Sequence, residues 1–242
     1  LTRRTSGRSQ DFLKHTAIFA EIEPWIHWGE QAALKTATKS RPTFVGTLSV
    51  LLLALCTPDH GALAFDFEDL CSIGAAYTTH LVLHEMGHQI VAQEVGAVDS
   101  KVQFFTNRGG GLYLALSTYE DIPEKSKLPY ALGGERMSGF TFDYALKSYR
   151  AKPTTYNKAL MFFSSFDFLA YTVISNYIKD DTSMYDPNLV RKETGCSKGL
   201  LLGLVLGKSL VNAYRVMHPE ANFAPVIWLD NKSAALLLRF PF

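Results

Sequence analysis

The chain has 242 residues, room for one large domain or two small ones. Lys and Arg number 24 against 23 Asp and Glu, a net charge of +1, so nothing in the charge balance points to nucleic acid. Hydrophobic residues make up 47%, yet the mean hydropathy is only +0.02, modest for a protein built mostly of membrane spans. The three cysteines, Cys56, Cys71 and Cys196, form no C-x-x-C pair, which excludes a zinc ribbon.

Residues 1–42 are polar and mixed, and no chemistry is read in them. Residues 43–64 follow the order of a secretory signal: Lys39-Ser40-Arg41, an apolar run from Phe44 to Leu55, then Ala62-Leu63-Ala64. The apolar run is shorter than the roughly 20 residues a span needs, so a signal peptide is expected, with an uncleaved anchor as the alternative. Both send the rest of the chain to or across a membrane. The expected location is the membrane, with a periplasmic or secreted form after cleavage as the alternative. Cys71 and Cys196 would then be either a disulfide pair or two thiols.

The segment from Glu68 to Val95 reads as a helix, and Gly96 supplies its stop. It contains His84-Glu85-Met86-Gly87-His88, an H-E-x-x-H motif. Positions i and i+4 lie on one helical face, so the two imidazoles can grip a single zinc ion. Glu85, one residue round from His84, is expected to act as a general base on a water rather than as a ligand. Two histidines and a glutamate on a largely apolar helix are costly unless employed. His80, one turn earlier, reads as a core or supporting histidine, because one straight helix cannot wrap a tetrahedral ion from three successive turns.

Beyond Gly96 the pattern changes to strands, Val102–Thr106 and Leu112–Thr118, joined by turn chemistry at Asn107-Arg108-Gly109-Gly110-Gly111. An exposed edge of this hairpin could pair with an extended peptide. Tyr130 to Tyr149 reads as a helix with small residues and with Glu135 and Asp143 along it. Lys158 to Ile178 is a third helix, apolar except for Asp167, a lone carboxylate in want of a partner such as a metal. Asp180 to Lys198 reads as a polar linker, and Gly199 to Met217 as a helix striped by Gly199, Gly203 and Gly207. Gly203 to Ser209 imitates a phosphate loop but is one residue short between its glycines, so nucleotide binding is excluded. The tail from Val226 holds apolar runs readable as strands or loop.

In this order, the features resemble the site-2 protease family, the intramembrane zinc metalloproteases. His84 to His88 matches the family's H-E-x-x-H in full, and Val102 to Thr118 resembles its substrate-holding sheet. Ala131-Leu132-Gly133-Gly134 resembles its small-residue motif in part, without the proline and asparagine. Ser164-Ser165-Phe166-Asp167-Phe168 offers the later aspartate, with Phe168 where the family has glycine. The resemblance implies zinc, peptidase activity on peptide or membrane-protein substrates, a membrane location, and a metal site of His84, His88 and Asp167. Glu135 is the alternative third ligand, as in soluble gluzincin peptidases. A non-catalytic membrane protein with a structural metal site is a further alternative. The expected fold is mainly α with a small β-hairpin, a helical bundle carrying the metal helix. The expected layout is a metalloprotease-like core over residues 65–180, followed by linker, glycine-striped helix and tail over 181–242.

Overall fold

A computed structural model describes residues 66–108, 111–178, 185–230 and 232–240. The signal or anchor expected at 43–64 and the segment 1–42 lie outside the described residues. The chain divides into two compact units, residues 1–79 and 80–242. The described part is mainly helical with two small antiparallel sheets.

Helix α1, Phe67–Glu94, starts where the Asp66 carboxylate accepts the Asp69 N–H at 2.8 Å, a side-chain N-cap. Gly96, at φ 71, turns the chain out of it. Strands β1, Lys101–Arg108, and β2, Gly111–Thr118, pair as the expected hairpin, from Lys101 opposite Thr118 to Arg108 opposite Gly111. A 3-10 turn, Glu124–Ser126, leads into the short α2, Lys127–Ala131, and the longer α3, Gly133–Ala151. Helix α4, Thr155–Val173, is capped by Thr154, whose hydroxyl accepts the Asn157 N–H, and it runs into a π turn, Ile174–Ile178.

The polar stretch expected to be a linker instead contains helix α5, Asp186–Thr194. Its sequence carries the signals of a helix: Pro187 in the first turn, Arg191 and Lys192 in the last, and Gly195 at φ 69 just past the end. Helix α6, Lys198–Met217, follows, capped by Ser197. The tail forms a second hairpin, β3, Ala224–Leu229, with β4, Ala234–Arg239. Cys71 and Cys196 are free thiols.

One apolar cluster ties α2, α4, α5, α6 and β3 together through Ala131, Leu132, Phe168, Val190, Leu201, Val205 and Leu229. Residues beyond 181 therefore pack into the same core as those before it. Burial of these side chains, at about 1.5–3 kcal/mol for each large one, holds α5 on the bundle despite its polar sequence. Among the described residues, two helical stretches are long and apolar enough to cross a membrane, Thr155–Ile178 and Lys198–Met217.

Three contacts fix α3. Gly87 of α1 and Gly133 of α3 meet backbone to backbone: a Cβ at Gly133 would lie 2.7 Å from the Gly87 carbonyl oxygen. On its other side, the buried Glu135 carboxylate pairs with the buried Lys208 ammonium of α6. Near the C-terminal end of α6, Arg215 Nη2 donates to Asp143 at 2.7 Å.

Lys208→Met should destabilise the fold by about 3–5 kcal/mol, because it strands a buried carboxylate. Adding Glu135→Gln should recover much of the loss, as measured by chemical denaturation of the single and double variants. Gly133→Ala should cost about 1–3 kcal/mol in the same assay by forcing α1 and α3 apart.

Candidate metal centre

Helix periodicity places His80, His84 and His88 in one stripe on α1, all three buried. The rings of His84 and His88 stand edge to face with centroids 5.0 Å apart. Their Nε2 atoms are 3.2 Å from each other. Asp186, the first residue of α5, brings Oδ2 to 3.2 Å from His88 Nε2 and 3.5 Å from His84 Nε2.

These three atoms form a nearly equilateral triangle. Donors held tetrahedrally at zinc distances of about 2.0–2.1 Å are separated by about 3.3–3.4 Å, so the triangle has the size that such an ion requires. The chemistry of the donors fits as well: two imidazoles and one carboxylate. Asp186 is 17% exposed and its partners 4–6%, so the set is mostly withdrawn from water but not sealed at the acid.

Each ring is held from behind. His88 Nδ1 donates to the Tyr130 carbonyl at 2.7 Å, which leaves the Nε2 lone pair facing Asp186. His84 Nδ1 lies 3.4 Å from Asp167 Oδ2 and 3.3 Å from Ser138 Oγ. Gly134 of α3 lies over the face of the His84 ring, and a Cβ there would overlap Nε2. Glu85 is half-buried, and its Oε2 accepts the Ser117 N–H of β2 at 2.6 Å. The hairpin thus holds the glutamate beside the two histidines.

The sequence expectation placed Asp167 with His84 and His88. The structure turns the two nitrogens of His84 to different acids: Nδ1 to Asp167 on α4, Nε2 to Asp186 on α5. Asp167 also lies 3.3 Å from His80 Nε2. The three donors that converge are therefore His84, His88 and Asp186. Glu135, the alternative ligand, is engaged by Lys208, and Asp143 by Arg215. Asp186 escaped the sequence reading because the segment around it looked like a linker. The Asp-Pro start and the glycine stop of α5 were the signal that could have found it.

Burial works against protonating His84, but the hydrogen bond to Asp186 and the charges of Asp167 and Asp186 outweigh it and push its pKa up to about 9. His88 is raised in the same way against its burial, chiefly by the charge of Asp186. Burial likewise opposes the charge on Asp186, yet His88 and His84 hold its carboxyl well below the usual range. In the metal-free protein, the His84 proton contributes stability that is complete below pH 6.5 and is lost as pH rises through about 9.

No protein-family model, no curated protein and no solved structure matches the chain.

A divalent ion must displace the proton on His84. Zinc affinity should therefore rise between pH 6 and pH 8, by roughly tenfold per pH unit for each proton released. Titration calorimetry in buffers of different ionisation enthalpy counts those protons, and a flat response would contradict the assignment. Gly134→Ala should push the His84 ring off its position and weaken zinc binding more than it lowers the melting temperature.

Proposed function

We propose that this protein is a zinc-dependent peptidase in which His84, His88 and Asp186 hold the metal and Glu85 is the general base. The observation that carries the reading is the triangle of Nε2, Nε2 and Oδ2 atoms with a glutamate beside it on the same helix. A divalent ion held by His84, His88 and Asp186 would supply Lewis acidity, lowering the pKa of a water and polarising a carbonyl. Glu85 takes the proton of the attacking water and passes it to the leaving nitrogen. The Ser117 N–H occupies Oε2 and leaves Oε1 for that proton. His84, His88 and Asp186 together contribute one negative charge when the histidines are neutral, so a divalent ion retains a net positive charge toward the substrate.

The resemblance to site-2 proteases supports this chemistry through the H-E-x-x-H helix followed by a hairpin. The third ligand comes from α5 rather than from the helix that bears Asp167. Among the described residues, the donor groups assemble in threes, which favours a catalytic site with an open position over a structural site closed by four protein ligands.

The reading extends to the membrane. Helix α6 is 20 residues long, about 30 Å, the thickness of a bilayer's hydrocarbon core. Leu200, Leu206, Leu210, Val216 and Met217 are exposed along it. Resistance to extraction by alkaline carbonate tests that location, and full release would count against it.

Glu85→Gln should lower peptide hydrolysis by about 10²–10⁴-fold while leaving bound zinc unchanged. Asp186→Ala, His84→Ala and His88→Ala should each lose the metal, read as zinc per chain after gel filtration. Retention of full zinc by Asp186→Ala would overturn the ligand assignment.

A further inference from the structure

His80 and Asp167 stand beside His84 in a second group, and the peptidase reading uses neither of the two. Asp167 Oδ2 lies 3.3 Å from His80 Nε2 and 3.4 Å from His84 Nδ1, so one oxygen bridges two imidazoles. His80 is fully buried, and neither of its ring nitrogens makes a properly angled hydrogen bond. Desolvating an imidazole in this way is costly unless the ring serves something else.

Two roles are open to this group. As a second cation site it would need a lone pair on His84 Nδ1 while Nε2 is also metal-bound, that is, a fully deprotonated ring. As a support it needs His84 Nδ1 to keep its proton and donate it to Asp167. The second role asks for no unusual protonation state and uses the arrangement already found at His88, where Nδ1 donates to a carbonyl.

The geometry points to Asp167 and His80 as a positioning pair: Asp167 holds the Nδ1–H of His84 so that Nε2 faces the metal, and His80 packs behind Asp167 and fixes its carboxylate. Because the pair acts through His84, the inference rests on the proposed metal site. The pair links α4 to α1 at the point where the metal set needs one ring orientation. Ionised Asp167 can only accept, so it favours a proton on His84 Nδ1 and leaves Nε2 as the nitrogen that gives up its proton to a metal. An amide in its place could donate to Nδ1 and favour the wrong tautomer. Ser138 Oγ, 3.3 Å from the same nitrogen, can either donate or accept and does not select between tautomers.

The test is zinc titration calorimetry on the full chain as wild type, Asp167→Asn, His80→Phe and Asp186→Asn, with thermal melting as the check on folding. One ion per chain is expected in the wild type. Asp167→Asn should weaken binding by about 10–100-fold without abolishing it, and His80→Phe should have a smaller effect in the same direction. In the zinc-loaded wild type, ¹H–¹⁵N NMR should show a protected Nδ1–H on His84, and that signal should be lost in Asp167→Asn. A merely structural Asp167 would leave the signal in place. Unchanged affinity in Asp167→Asn overturns the positioning role while the metal site stands. Two ions per chain, with one lost in both Asp167→Asn and His80→Phe, overturns it in favour of a second cation site. Unchanged binding in Asp186→Asn, or no zinc bound by the wild type, overturns the metal site itself and the pair's role with it.

Discussion

The candidate metal centre depends on one electrostatic constraint: a carboxylate at the head of α5 stands within hydrogen-bonding reach of two buried imidazoles from α1. None of the three groups is well placed alone. Burial disfavours charge on each, and only their mutual attraction or a shared cation makes the arrangement tolerable. The rest of the site consists of devices that keep the two imidazoles and the neighbouring glutamate where they are. Helix α2 offers the Tyr130 carbonyl to His88, α3 offers the bare face of Gly134 to His84, and β2 offers the Ser117 N–H to Glu85. The short helices α2 and α5 are given fixed places by the apolar cluster they share with α4, α6 and β3.

Much of α1 was legible in the chain because the motif is local. His84, Glu85 and His88 lie within five residues, and helical periodicity alone predicts their common face. The hairpin was legible for a similar reason, since alternating strands flank a glycine-rich turn. Asp186 was not. Its place beside the histidines is set by tertiary packing of a nine-residue helix whose polar sequence gives little periodic signal, only punctuation at its two ends. Asp167 is the opposite case. Its isolation in an apolar helix marked it as special, but ligand chemistry could not say whether it meets a metal directly or meets the back of a ring. What the structure adds is the nitrogen it faces, Nδ1 of His84. Glu135, the alternative ligand by analogy with soluble gluzincin peptidases, is taken by Lys208, a residue 73 positions away (208 − 135) in a stretch that resembled a phosphate loop.

The glycines of the third helix also acquire a definite meaning. Read from sequence, Gly133 and Gly134 suited close packing in general. In the structure their tasks differ. Gly133 lets two backbones touch, and Gly134 leaves room for an imidazole. A methyl group at the first would separate helices, whereas one at the second would strike the His84 ring. The same pair of residues thus sets both the spacing of the bundle and the clearance of the site.

The separation along the chain between His88 and Asp186 carries a last consequence. An ion shared by α1 and α5 would clamp two points 98 residues apart (186 − 88), closing a long loop in any partly opened form of the chain. The entropy of that closure falls on the unfolded ensemble, so occupancy would couple the fraying of a small polar helix to the opening of the whole bundle. A chain loaded in this way would come apart all at once, whereas an unloaded one could release α5 first.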